Sequence, residues 1–414
     1  MLSVLFSGLN LLLALPESPT GSGMAMMILI AVIALRRRPV EIWPVRHPNM
    51  GDVAAMTYVA LQLLILITGK SRSNATHFII PYISASCIYL SVRLLPHEKA
   101  TTIYISRIIV FLGVLLAFAD LILLVRGLKM MSNFPVVDLS SLRGSLPLLG
   151  GPTRNDGVMI ILVILPYSLL SVILEDGRNL LFQSISLCTA TMLVLILILS
   201  FSRSAYVALA IFFGGFFLFA IWNKIPSVRM LYAYCLIVCV AVSISVRCLN
   251  VQRAVADTIF WNRTVSQQRS TKGREIIWMN SIKQIATHPV LGAGGYTDGY
   301  NSLARLNDST IPFTARAYNA PIEAAISGGL LGLLTYTIFL LYPLAKTIQF
   351  SMLSDAGTSV TSGILACGII ALLIRDMTYS SLVLHGPTIF VTWVTVGLIQ
   401  NSLPDRPREV VVYQ

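Results

Sequence analysis

The chain has 414 residues, of which 56% are hydrophobic and 12% charged, with a mean hydropathy of +0.78. A water-soluble protein of this length has too little interior to hide so much apolar surface, so its solvent is lipid and no nucleic-acid partner is expected. The formal net charge of +12 sets orientation and meets anionic headgroups, or else meets an anionic substrate.

Apolar runs near spanning length fall at about 1–15, 22–35, 52–69, 77–95, 103–125, 156–174, 180–200, 204–222, 229–247, 321–344, 358–375 and 382–401. They predict an all-α polytopic membrane protein with about 12 transmembrane helices. The opening "MLSVLFSGLNLLLALPESPTGS" lacks a basic n-region and reads as a first spanning segment rather than a cleavable signal. No internal repeat and no soluble domain is visible. The basic cluster "RRRPVEIWPVRH" shares one side with Arg93, Lys99, Arg178, Lys224, Arg229, Lys346, Arg406 and Arg408. The positive-inside rule makes that side cytoplasmic and puts both termini there. The chain then divides into nine helices over 1–247, an outer loop over 248–318, and three helices with a short cytoplasmic tail over 319–414. The six cysteines, Cys87, Cys188, Cys235, Cys239, Cys248 and Cys367, fall almost entirely in apolar runs and read as small buried hydrophobes.

Position separates the two meanings of the positive charge. The outer loop holds Arg253, Arg263, Arg269, Lys272, Arg274, Lys283, Arg305 and Arg316 against Asp257, Glu275, Asp298 and Asp308. Within it, "GREIIWMNSIKQIATHP" spaces Ile276, Ile277, Ile282 and Ile285 near a helical period, and Pro289 with "GAGGY" ends the run. A basic amphipathic helix followed by a glycine-rich turn points to a lid over an anionic ligand. A solvated, charged loop is the competing reading. Arg203, in "SFSRSAYVAL", stands between two apolar runs at the outer face. There Ser202, Arg203 and Ser204 open a helix whose first N–H groups favour an anion, unless Arg203 simply snorkels to the interface. Arg274 opens the loop helix, with Lys272 and Arg269 nearby. Two converging guanidinium forks suit a diphosphate.

"SFSRSAYVAL", "GREIIW…IKQIATHPVLGAGGY" and "AYNAPIEAAISGGLLGLL" occur in an order that resembles the O-antigen ligase and polymerase family of bacterial membrane glycosyltransferases. The matching positions are Ser202 with Arg203, Gly273 with Arg274, Trp278, His288 with Pro289, Gly292 with Gly294, and then Asn319, Glu323, Gly329 and Gly332. The likeness covers about 150–345. It implies a GT-C-like helical fold and an inverting glycosyl transfer that needs no metal and no cofactor. The donor is a glycan on undecaprenyl diphosphate, at the periplasmic face of the bacterial inner membrane. The acceptor is a second lipid-linked repeat unit in a polymerase, or lipid A–core in a ligase, and a chain-length regulator protein is a partner of the former. On this resemblance Arg203 and Arg274 hold the diphosphate leaving group. Ser202, Lys272, Arg269, Asn319 and Arg316 line the substrate site, and Asn155 stands where the family often has a polar Asn near the acceptor or lipid path.

Tyr318 departs from the pattern, because ligases usually carry His there as general base. Phenols titrate near pH 10 and make poor bases at neutral pH, although they donate hydrogen bonds and stack on sugars. Either the base lies elsewhere, with Glu323, Asp298 and Asp308 as candidates, or catalysis rests on leaving-group stabilisation. The bland reading of Tyr318 is an aromatic at the membrane interface. His288 before Pro289 reads as a helix stop, His385 as a distant alternative base, and Arg375 with Asp376 as a structural pair. A transporter of lipid-linked saccharides is the reading from another class. It predicts ionisable groups near the membrane midplane, where Arg107 and Asp120 are the main candidates.

Overall fold

The computed structural model describes residues 48–68, 75–95, 99–131, 154–175, 179–200, 202–222, 242–243, 247, 265–293, 317–351, 356–377 and 387–402. The expected spans at 1–15 and 22–35, and nearly all of 229–247, lie outside these residues. Among the described residues there are ten helices and no strand: α1 (Met50–Thr68), α2 (Ala75–Leu94), α3 (Lys99–Met131), α4 (Arg154–Leu174), α5 (Leu180–Leu199), α6 (Arg203–Trp222), α7 (Val265–Thr287), α8 (Ala320–Ser351), α9 (Ala356–Asp376) and α10 (Pro387–Ser402). Apart from the loop helix α7, each covers one of the expected apolar runs. Four of them contain stretches long and apolar enough to cross a membrane, at Thr101–Phe118, Leu180–Leu199, Arg203–Ile221 and Ala320–Gln349.

Helix α9 is central, packing on α4, α6, α8 and α10. The side chains of α4 from Val158 to Ser171 are all buried, whereas α5 and α6 turn Leu180, Leu181, Leu218 and Ile221 outward. An outward leucine on a spanning helix meets acyl chains, so the usual inside-out rule for water does not apply. Contacts between helices use small residues: Gly363 lies against Phe219, Gly215 against Cys367, Gly368 against Pro166, and Gly397 against Val92 and Tyr89. Among the described residues the cysteine expectation holds for Cys367, while Cys235, Cys239 and Cys248 lie outside them. Cys87 and Cys188 are exposed, on the outward faces of α2 and α5, because lipid accepts a thiol as readily as a core does.

Antiparallel neighbours sort the helix ends into two levels. At the level expected to be cytoplasmic, Asn49 and Asp52 cap α1 reciprocally, with N–H to side-chain oxygen distances of 2.9 and 3.0 Å. Arg93 at the end of α2 clamps Asp52 through Nε and Nη2, both at 2.8 Å. The Tyr89 hydroxyl lies 2.6 Å from Asp52 Oδ1 and 2.7 Å from the Gln400 side-chain amide of α10. Its single proton serves Asp52 Oδ1 or Gln400 Oε1, one at a time. Arg107 grips Glu175 at 2.6 and 2.7 Å and lies over the Phe182 ring. This anchors it at the expected inner end, so it is not a midplane charge of the kind a transporter would need. Asp120 is buried in α3.

Helix α8 is broken at Gly329, which has φ 62° and ψ −155°. The turn after α7 fills the break. Pro289 O accepts from Leu330 N at 2.8 Å, Val290 O accepts from Leu331 N at 3.3 Å, and Ala293 N donates to Ile326 O at 2.9 Å. The backbones approach so closely that a Cβ on Gly329 would lie 2.4 Å from the Val290 carbonyl. A Cβ on Gly292, itself at φ 71°, would lie 2.5 Å from Gly329 N. Glycine is required at both positions by sterics and by the left-handed backbone.

Two stability outcomes follow. Gly329→Ala lowers stability by at least about 2 kcal/mol, from backbone strain plus displacement of the 289–293 turn, read as an earlier thermal transition in detergent. Arg93→Ala strands Asp52 and Tyr89 and costs about 3 kcal/mol, whereas a substitution at outward-facing Leu218 leaves the transition unmoved.

Candidate active site

At the opposite level, α5 and α6 meet in a tight turn. Ser202 precedes α6, and its carbonyl takes the first helical bond from Tyr206 N at 3.1 Å. The Tyr206 hydroxyl reaches back to Ile198 O, tying the two helices together. This fixes Arg203, half-buried, in the first turn of α6. The antiparallel register of α6 on α9, set by Phe219 against Gly363 and Cys367 against Gly215, brings Arg203 to the end of α9 at Met377. Arg375 and Asp376 are buried at that same end.

Asn319 docks there too, donating from Nδ2 to Met377 O at 3.1 Å. Its Oδ1 caps α8 by accepting from Ile322 N at 3.1 Å, which explains why an Asn starts this helix. One residue earlier, Tyr318 has φ 52° and is the positive-φ residue other than glycine among the described residues. A side chain in that region costs roughly 1–2 kcal/mol, so the surroundings must hold it. They do so from both sides. Trp278 Nε1 donates to Ala317 O at 2.8 Å, and Tyr318 N donates to Glu323 Oε1 at 3.0 Å. Glu323, fully buried in the first turn of α8, folds back over its own N-terminus.

Arg274 lies one turn before Trp278 on the same face of α7, half-buried and within electrostatic reach of Tyr318. Burial pushes its guanidinium pKa down, and Tyr318 opposes the shift. No carboxylate among the described residues pairs with it. A desolvated guanidinium without a counter-charge gains strongly from an anionic ligand.

Of the predicted site residues, Arg203, Ser202, Tyr318, Asn319 and Glu323 gather at one end of the bundle, and α7 brings Arg274 to the same corner. Lys272, Arg269 and Asn155 belong to described helices, but their side chains lie outside the described residues. Arg316, Asp298, Asp308 and His385 lie outside them altogether. His288 is exposed and closes α7, as its place before Pro289 predicts, with its Nδ1 2.9 Å from Thr287 Oγ1. The sequence reading missed Trp278 as a positioning residue and the strain at Tyr318. Trp278 was visible as part of the motif, but its hydrogen bond spans 39 positions and has no local signature. The helix expected from the spacing of Ile276, Ile277, Ile282 and Ile285 forms, but the four split between two faces: Ile277 and Ile285 face inward, Ile276 and Ile282 outward. Adjacent helical positions differ by 100°, so 276 and 277 cannot share a face centre.

An all-helical membrane protein with a cationic, strained corner at one end of its bundle is the class that fold and site define. Residues 188–337 match the family model described as O-antigen ligase. That stretch contains Arg203, Arg274 and the whole Tyr318 corner, and the match supports the resemblance to the O-antigen ligase and polymerase family. No curated protein matches the chain. At the coarse level the match supports a membrane glycosyltransferase of the ligase or polymerase type.

Glu323 as base and Glu323 as brace give different outcomes. Glu323→Gln keeps an oxygen acceptor for Tyr318 N–H and is expected to retain both folding and turnover. Glu323→Ala leaves that N–H unsatisfied, costing about 1–3 kcal/mol, and lowers turnover by releasing Tyr318. A dead Glu323→Gln with an unchanged thermal transition identifies a base instead.

Proposed function

We propose that the protein transfers a glycan from undecaprenyl diphosphate to a saccharide hydroxyl at the periplasmic face of the bacterial inner membrane, as a repeat-unit polymerase. The observation that carries this reading is Arg274, desolvated, without a carboxylate partner among the described residues, and brought toward Tyr318 by the Trp278–Ala317 bond. Its guanidinium, with Arg203, binds the diphosphate and gains strength as negative charge develops on the leaving group. The acceptor hydroxyl attacks the anomeric carbon from the opposite side, inverting it, the phosphate oxygen departs with the bonding pair, and the hydroxyl proton passes to the departing diphosphate or to water. Tyr318 orients the acceptor through its hydroxyl and ring, and Glu323 braces Tyr318. Ser202, Asn319, Arg316, Lys272, Arg269 and Asn155 complete the substrate site. No metal is needed when guanidinium groups carry the leaving-group charge. Tyr318, where a ligase usually has His, favours the polymerase, and a chain-length regulator protein is then a partner. Transfer to lipid A–core is the second reading, because it uses the same donor site. A transporter is disfavoured by Arg107, which Glu175 anchors at one end of the bundle.

The test is transfer by purified protein from an undecaprenyl-diphosphate-linked repeat unit, with and without lipid A–core. A ladder formed without core is expected. Transfer only with core makes the protein a ligase, and no transfer in either case defeats both readings. Arg203→Ala and Arg274→Ala each lower kcat/KM by about 100-fold or more, while Arg→Lys at either position recovers part of it. Full activity in both alanine variants removes the diphosphate assignment.

A further inference from the structure

The loop helix α7 is inverted with respect to a water-soluble amphipathic helix. Its inward face buries Asn280, Ser281 and Gln284 beside Ile277. Its outward face, continued by the turn, exposes Ile276 (40%), Met279 (62%), Ile282 (59%), Val290 (64%) and Leu291 (50%). A helix solvated by water has the reverse arrangement.

The depth of this face follows from its partners on α8. Trp278 is bonded to Ala317, just above the first turn of α8, and the 289–293 turn is bonded to Ile326, Leu330 and Leu331. Helix α7 therefore runs alongside the first turns of α8 and descends with it. The outer level is marked by Asn319 on Met377, with Arg375 and Asp376 buried beside it. The inner level is marked by Tyr342 beside Gly51, next to the Asp52–Arg93 pair. From Ala320 to Tyr342 is roughly 33 Å of helix, close to the roughly 30 Å of a bilayer's hydrocarbon core. The break at Gly329 falls roughly 14 Å below Ala320 on the same scale, among the acyl chains of the outer leaflet.

We infer that the C-terminal half of α7 and the 288–292 turn form a re-entrant segment whose exposed apolar face is covered by acyl chains of the outer leaflet, rather than a lid standing in water. The face is continuous with Leu330, Leu331 and Leu334, the outward residues of the spanning helix that the turn is bonded to. Irregular backbone at this depth needs internal partners, and the carbonyls of His288, Pro289 and Val290 all accept backbone hydrogen bonds. Four exposed polar residues accompany the face: Glu275, on the turn before Trp278, Lys283, whose long stem is able to carry its charge to the headgroups, and Thr287 with His288, which contact each other. The inference stands whatever reaction the site performs.

A photoreactive benzoylphenylalanine placed at Met279, Ile282 or Val290 in the full chain, reconstituted in phosphatidylglycerol–phosphatidylethanolamine nanodiscs, tests it. All three positions are outward-facing, and Leu334→benzoylphenylalanine on α8 serves as the lipid-facing reference. Mass spectrometry is expected to find phospholipid adducts at the three positions at yields within about threefold of the reference. Adducts at all three below a tenth of the reference mean a solvated lid and overturn the inference. A cross-linked dimer in their place makes the face an interface between copies and overturns it equally.

Discussion

The backbone contact between the 289–293 turn and the break at Gly329 is the constraint on which the arrangement of the outer end depends. Three main-chain hydrogen bonds cross it, each contributing about 1 kcal/mol net. They form only because Gly292 and Gly329 place no Cβ between the chains. The contact fixes where α7 ends. Once that end is fixed, the position of Trp278 two to three turns earlier follows, and with it the Ala317 carbonyl and the backbone of Tyr318. Arg274 reaches the corner by the same lever. The "HPVLGAGG" and "GGLLG" elements are thus two halves of one joint, and neither has a conformational reason to exist without the other.

The two ends of the bundle treat charge differently. At the inner end, arginine is matched to carboxylate: Arg93 to Asp52, Arg107 to Glu175. Both pairs are bidentate and hold together helices that are distant in sequence. At the outer end, Glu323 is committed to the Tyr318 N–H and no carboxylate among the described residues pairs with Arg274. A partly desolvated cation left in that state would gain from an anionic ligand, as the proposed diphosphate site requires. The strained backbone at Tyr318 belongs to the same economy of structure, since left-handed tyrosine persists only where several contacts determine it at once.

Much of this architecture was legible in the sequence because each helix carries its own signal. Runs of apolar residues at spanning length gave α1 to α6 and α8 to α10 to within a few residues, except at the ends of α3 and α8. Those helices run past their apolar segments to Met131 and Ser351, since backbone hydrogen bonds continue a helix into polar sequence. Asn319 was legible as part of a motif, and its side-chain role as a cap follows from local chemistry. Tyr318 was conspicuous as a departure, but its left-handed backbone was not, because nothing in a tyrosine announces positive φ.

The sequence by itself determined the lipid solvent, the helical class and the identity of the cationic residues, because composition and periodicity are properties of short stretches. Only the tertiary structure decided which face of α7 looks inward, that Glu323 braces Tyr318, and that two glycines 37 positions apart meet in one joint. These are contacts between segments far apart in the chain, and their geometry is set by the packing of whole helices rather than by any residue's own preference.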